Sequence, residues 1–136
     1  MKYLLSLGLV LATLISTSQN KINWMTWDEV DSARQVEPRK IFVDVYTDWC
    51  GWCKRMDAST FKDPNVAGYM NQKYYAVKFN AERRDTIIFN NRAFPDLTPK
   101  RKRGTNALAY SLLEGRMSYP SFVILDENLQ RAHIIS

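Results

Sequence analysis

The sequence contains only two cysteines and one histidine among its 136 residues. A single histidine excludes a metal centre built from several histidines. Two cysteines are too few for the set of disulfides that stabilises small secreted domains with little core. The composition is otherwise ordinary, with 46% hydrophobic and 24% charged residues, which excludes general disorder. The length predicts one domain, so the open question is why two cysteines stand only two residues apart.

The first eighteen residues have the three parts of a secretory signal peptide. A short basic start precedes an apolar run over residues 3–15, and small residues then lead to a cleavage site after Ser18. The apolar run is short for a bilayer span, although an uncleaved membrane anchor is the alternative. We therefore predict a signal peptide at 1–18, a domain at 19–136, and an extracytoplasmic location with the bacterial periplasm as the expected compartment.

Apolar periodicity and turn residues predict an α/β chain. Thr26 and Glu29 form a capping-box pattern that opens the first helix. Lys40–Tyr46 is apolar on both faces apart from Asp44, which is typical of a central strand in a parallel or mixed sheet. The predicted helices cover residues 27–35, 50–61, 64–73 and 105–114, and the predicted strands cover 40–46, 74–79, 121–125 and 131–135.

The spacing of Cys50 and Cys53 favours a chemical role for the pair over a structural one. A disulfide stabilises chiefly by closing a long loop, so a loop of two residues contributes little. Zinc needs about four ligands, and a c-type haem needs a histidine where this chain has Lys54. Cys50 follows a buried strand and begins a helix, whose N–H groups and dipole lower a thiol pKa from about 8.5 to about 3.5–7.5. Cys53 lies one turn later and deeper, as expected of a resolving thiol that breaks a mixed disulfide.

Three further residues are candidates for the same site. Trp49 offers apolar surface beside Cys50, although core packing explains a tryptophan equally well. Asp44 is a carboxylate inside an apolar strand, where burial is costly and raises its pKa, so it could accept a proton from Cys53. The alternative is an edge position where Asp44 reaches solvent. Pro120 follows Tyr119 directly before a strand, and the sequence does not reveal its isomer.

These residues together resemble the thioredoxin superfamily. The segment 41–54 is very similar to the thioredoxin active-site region, and Lys78 matches a lysine near the buried aspartate. Tyr119-Pro120-Ser121 resembles the family's cis-proline turn, which presents backbone to the substrate. The segment 48–66 is similar to the secreted branch that includes the C-terminal domain of bacterial thiol:disulfide interchange transporters. The resemblance implies a thioredoxin-like three-layer sandwich with a mixed central sheet, here without the family's final helix.

The resemblance also implies the chemistry of the site. It implies an enzyme that uses the redox-active Cys50–Cys53 disulfide, with no metal and no organic cofactor. Its partners would be protein disulfides and a dithiol electron donor such as a membrane transporter. We expect no nucleic-acid partner, and we expect a monomer. The implied catalytic residues are Cys50, Cys53, Asp44 and Lys78, and the implied substrate-binding residues are Trp49, Gly51, Trp52, Tyr119 and Pro120.

The chain departs from thioredoxin in two places near the cysteines. Gly51-Trp52 replaces Gly-Pro, so the reduction potential cannot be carried over from thioredoxin. No histidine lies between the cysteines, and we therefore expect a reductase with a potential of about −270 mV rather than an oxidant with one of about −120 mV. Residues 80–104 form a longer connection, predicted to be an inserted loop with a hairpin that turns at Asn90-Asn91. Because sites form at the carboxyl ends of parallel strands, we expect this insertion beside the cysteines, where it would influence partner choice.

Two features leave other interpretations open. The basic run Lys100–Arg103 is interpreted as a solvated loop, with a nucleic-acid or anionic-surface patch as the weaker alternative. Trp49, Trp52 and a bare sheet face would suit a thioredoxin-fold binding module or chaperone for secreted proteins without net redox turnover. A metal carrier that uses the same thiols is a third interpretation.

Overall fold

The computed structural model describes residues 20–136, so the predicted signal peptide at 1–18 lies outside the described residues. Within 20–136, helices and strands alternate much as the sequence predicts. No helix in this range is long and apolar enough to cross a membrane. The strands are β1 (Trp24–Met25), β2 (Lys40–Tyr46), β3 (Tyr74–Asn80), β4 (Ile87–Phe89), β5 (Arg92–Phe94), β6 (Ser121–Leu125) and β7 (Arg131–Ile135). The helices are α1 (Trp27–Val36), α2 (Gly51–Ala58), α3 (Pro64–Lys73) and α4 (Ala107–Leu112), with a 3-10 turn at Thr60–Lys62.

Five strands form one mixed sheet in the order β1-β3-β2-β6-β7. β2 pairs parallel with β3 and antiparallel with β6, so it is the central strand, as its two apolar faces predict. β1 has only two residues and was not predicted, because so short a segment shows no periodicity. The α/β class and the mixed sheet are confirmed.

Alternate residues of β2 serve two different cores. Ile41, Val43 and Val45 pack with α1 and α4 on one face of the sheet. Phe42 packs on the other face, where α3 contributes Met70 to a smaller core. Helices therefore cover both faces of the sheet, which is the expected three-layer arrangement.

Two predicted helices are shorter in the structure. α2 ends at Ala58 rather than near residue 61, because Ser59 leaves helical backbone geometry and a 3-10 turn follows. α4 ends at Leu112 rather than Glu114, since Glu114 and Gly115 both adopt positive φ values of 53° and 76°. The capping box at the start of α1 is confirmed, with the Thr26 hydroxyl accepting the Glu29 N–H.

The insertion at 80–104 contains the predicted hairpin. β4 pairs with β5, and the turn residues Asn90 and Asn91 have φ values of 49° and 57°. The hairpin packs on α1, where the Phe89 ring lies 4.7 Å from that of Trp27. The buried Asn106 side chain donates to carbonyls of the insertion at Asp85 and Phe94, so the insertion is tied to the start of α4.

Candidate active site

The two cysteines form a disulfide at the start of α2. Cys50 is the N-cap residue of that helix, and its own N–H donates to the Thr47 carbonyl at 3.1 Å, which turns the chain after β2. The Cys53 N–H points at Cys50 Sγ at 3.1 Å. In the reduced protein this N–H and the helix dipole would stabilise a Cys50 thiolate. The two residues are 4% and 3% exposed, so their exposure does not separate an outer from a deeper cysteine.

Asp44 lies in the middle of the central strand and is 2% exposed, which rules out the edge position. The parallel register of β2 and β3 places it opposite Lys78, whose Nζ donates to Asp44 Oδ2 at 2.8 Å. Asp44 Oδ1 has no hydrogen-bond partner within the described part of the chain. The structure thus brings together the predicted aspartate and lysine and leaves one carboxylate oxygen available.

Burial sets the protonation of this pair. Desolvation raises the pKa of the Asp44 carboxyl above its ordinary value, and the hydrogen bond from Lys78 opposes that rise without cancelling it. Burial disfavours the charged Lys78 side chain, but hydrogen bonds to Asp44 and Asp57 outweigh it, so the pKa of Lys78 is raised. Asp44 therefore holds a proton more readily than an exposed aspartate does.

Asp57 is a site residue that the sequence analysis missed. Its carboxylate also accepts a hydrogen bond from Lys78 Nζ, so the ammonium bridges two carboxylates. The available signal was spacing, because Asp57 stands four residues after Cys53 on α2 and therefore on the same helical face. Lys78 also lies over the Tyr46 ring at 4.9 Å, and Lys78 and Asp57 both line a cavity of about 450 Å³.

Trp49 is held at the surface by residues of the insertion. It is 52% exposed, so core packing does not explain it. Its indole N–H donates to Glu82 Oε1 at 2.9 Å, and the Arg103 guanidinium lies 4.6 Å over its ring. Both ends of the 80–104 insertion therefore contact Trp49. Sequence reasoning missed both residues, because each contact joins positions far apart in the chain.

Tyr119 and Pro120 stand beside Trp49. The Tyr119 ring meets the Trp49 ring edge-on at 5.9 Å, and the Tyr119–Pro120 peptide bond is cis. Burial, together with the nearby Glu82, raises the pKa of Tyr119. The residues between the cysteines are open: Gly51 has empty space where a Cβ would lie, and Trp52 is 65% exposed. Tyr119 is thus brought to Trp49, directly before Cys50, and Gly51 and Trp52 are exposed between the two cysteines in the sequence.

Residues 20–136 contain no group of three or more histidine, cysteine, aspartate or glutamate side chains that could hold a metal ion. The chemistry that the described site offers is that of the cysteine pair, and Asp57, on the same helix as Cys53, connects that helix through Lys78 to the buried Asp44.

Known proteins share this architecture. The DsbH oxidoreductase structure aligns with 95% of this chain and 82% of its own at a TM-score of 0.59 and 13% identity. Spinach chloroplast thioredoxin f, short form, aligns with 86% and 81% at 0.51 and 18% identity. Both show the thioredoxin-like fold.

The sequence comparisons reach the same superfamily. The thiol:disulfide interchange protein DsbD of Pectobacterium atrosepticum is 34% identical over 44 residues, which are 32% of this chain and 8% of that protein. This chain spans a tenth or less of the curated relatives that it matches first. The similarity to the thioredoxin superfamily and to DsbD is thereby confirmed.

The Thioredox_DsbH family model, described as "Protein of unknown function, DUF255", matches residues 11–95. That match covers more than half of the chain. The chain thus combines a thioredoxin-like fold with a Cys50–Cys53 disulfide. The chain belongs to the Thioredox_DsbH family.

Proposed function

We propose that this chain is an extracytoplasmic reductase of protein disulfides. The observation that carries the proposal is the Cys50–Cys53 disulfide at the start of α2, between the exposed rings of Trp49 and Trp52. A helix N-terminus favours a thiolate at Cys50, and exposed aromatic rings beside it suit contact with a polypeptide. Protein disulfides are the proposed substrates.

The reaction proceeds in two exchanges. The Cys50 thiolate of the reduced protein attacks one sulfur of the substrate disulfide, which releases the other sulfur as a thiolate and leaves a mixed disulfide. Cys53 then loses its proton to Asp44 and attacks Cys50 Sγ, which releases the substrate as a dithiol. The substrate gains two electrons, and the protein is left with the Cys50–Cys53 disulfide seen in the structure.

The surrounding residues have supporting roles in this proposal. Lys78 contacts Asp44 and tunes its charge, while Trp49, Gly51, Trp52 and the Tyr119–Pro120 turn form the surface that the substrate meets. A dithiol protein, such as a membrane transporter, returns two electrons to the cysteine pair. No metal or organic cofactor takes part in this scheme, and the protein works as a monomer.

We also propose that residues 1–18 are a cleaved signal peptide and that 19–136 is the working domain, in the bacterial periplasm. The three-part pattern of the leader supports this location. A relative named as a thiol:disulfide interchange protein supports thiol–disulfide exchange as the chemistry.

The proposal is tested with insulin as a model disulfide protein and dithiothreitol as the electron source. We expect the wild-type domain to accelerate reduction of the insulin interchain disulfides, and Cys50→Ala/Cys53→Ala to show only the rate of dithiothreitol alone. A double variant as active as wild type would reject the proposal. If the double variant keeps only the ability to prevent aggregation of unfolded proteins, the binding-module alternative gains support.

A further inference from the structure

Each tryptophan beside the cysteines lies under an arginine. The Arg103 guanidinium is 4.6 Å from the centre of the Trp49 ring, and the Arg55 guanidinium is 4.6 Å from that of Trp52. Cation–π contacts at this distance hold a guanidinium against a ring without neutralising it. Arg103 Nε also lies 3.9 Å from the Glu82 carboxylate, which makes an ion pair, but the Arg103 side chain remains 63% exposed. Part of the guanidinium therefore faces solvent over the surface next to Cys50.

Close contacts between the two ends of the insertion bring Arg103 to this position. Gly104 passes so near Glu82 that a Cβ on it would lie 2.3 Å from the Glu82 carbonyl oxygen. The Arg84 guanidinium donates to the carbonyls of Arg101 and Lys102 at 2.8 and 2.9 Å. The backbone of the basic run is therefore held against Arg84, while its side chains are exposed, as the solvated-loop interpretation predicts.

The exposed charges around the disulfide are mainly positive. Lys54 and Arg55 are exposed on α2, and Arg103 adds a third, partly paired positive charge. Among the carboxylates, Asp48 is exposed, Glu82 is 20% exposed and contacts Arg103 and the Trp49 N–H, and Asp57 is paired with Lys78. The accessible charge at this surface is thus mainly positive, and a field of one sign raises the encounter rate of oppositely charged partners.

We propose that this surface selects disulfides flanked by acidic residues, an inference that rests on the proposed function. A carboxylate next to the substrate cysteine can form paired hydrogen bonds with an arginine fork while neighbouring substrate atoms contact the indole ring. A lysine at the same place is repelled. The substrate class is therefore an acidic polypeptide segment that carries a disulfide.

The test uses three synthetic peptides with one internal disulfide each, identical except for glutamate, glutamine or lysine beside the cysteines. For each peptide we measure the rate at which it oxidises the reduced protein and the rate at which dithiothreitol reduces the same peptide. The ratio of the two rates corrects for the intrinsic reactivity of the peptide. We expect the glutamate peptide to exceed the lysine peptide by about tenfold at low salt, and this ratio to shrink at about 500 mM salt.

Arg103→Glu should abolish or invert that preference. Arg103→Lys keeps the charge but not the guanidinium fork, so it should keep only part of the preference. Arg92→Glu is the matched control, because the substitution changes the net charge by the same amount. Arg92 lies in the same insertion but over the ring of Phe94 in the hairpin. Arg103→Gln, which removes the charge without reversing it, should reduce the preference and serves if Arg103→Glu does not fold.

The outcomes separate the two proposals. If the wild-type protein reduces none of the peptides, the proposed function fails and this inference fails with it. If it reduces all three at equal normalised rates, or if Arg103→Glu and Arg92→Glu respond alike, the inference is overturned while the reductase proposal stands.

Discussion

Cys53→Ser should accumulate mixed disulfides with substrate proteins, joined through Cys50, and its turnover should fall to the uncatalysed rate. The first exchange needs only the Cys50 thiolate, which the start of α2 stabilises. The second exchange needs the sulfur that Cys53→Ser removes, so the covalent intermediate cannot resolve. The chain contains no other cysteine, so no internal thiol can replace it.

The intermediate can be measured by non-reducing electrophoresis and mass spectrometry after acid quenching. Cys50→Ser is the matched control. It makes the same chemical change at the other cysteine, and because it removes the attacking sulfur it should trap nothing. If Cys50→Ser trapped substrates and Cys53→Ser did not, the two roles would be reversed. If neither variant trapped a substrate, the nucleophilic mechanism would be wrong.

Asp44→Asn should slow resolution of the mixed disulfide by about 100-fold near neutral pH, the usual range for loss of a general base. Asp44 is buried, its pKa is raised and Asp44 Oδ1 is unpaired in the described structure, so in the proposed mechanism this oxygen accepts the Cys53 proton. The deficit should shrink as pH rises toward the pKa of a buried thiol, because Cys53 then loses its proton unaided.

Stopped-flow measurement of the second exchange across pH tests this. Asp57→Asn is the control, because it removes the other carboxylate that contacts Lys78 and leaves Asp44 in place. We expect it to slow resolution by less than about tenfold. Equal effects from the two variants would assign the role to the whole charge cluster rather than to Asp44.

Asp44→Asn, although it slows the chemistry, should raise the free energy of unfolding. The pKa of Asp44 is raised in the folded protein, so folding favours the protonated form, and stability falls as pH rises from the ordinary value of 3.8 through the raised one. Each unit of raised pKa corresponds to about 1.4 kcal/mol. Asp44→Asn lacks this fall, so above that range it should gain free energy of unfolding relative to wild type. Slower chemistry in a more stable protein would separate function from folding.

Most of the fold was predictable because its signals are local. Residues of Lys40–Tyr46 are apolar on both faces, and a capping box marks the first helix, so neither depends on distant contacts. Cys50 was placed correctly at the start of a helix for the same reason. The burial of Asp44 follows from the strand in which it lies.

The contacts that surround the disulfide were not predictable in this way. Trp49 meets Glu82 across 33 residues of sequence, and Arg103 reaches the same ring from still farther away. Such contacts depend on how the insertion packs, and a basic run has the same composition whether it is solvated or bound to a ring. The two-residue strand β1 was missed because its pairing with β3 leaves no periodic pattern.

The reduction potential of the Cys50–Cys53 pair tests the central claim most directly. It is measured by equilibrating the protein with dithiothreitol or glutathione couples and following the oxidation state by thiol alkylation. A protein that donates electrons to protein disulfides should have a value near about −270 mV. A value near about −120 mV, typical of a strong oxidant, or a pair that does not exchange with either couple, would contradict the account.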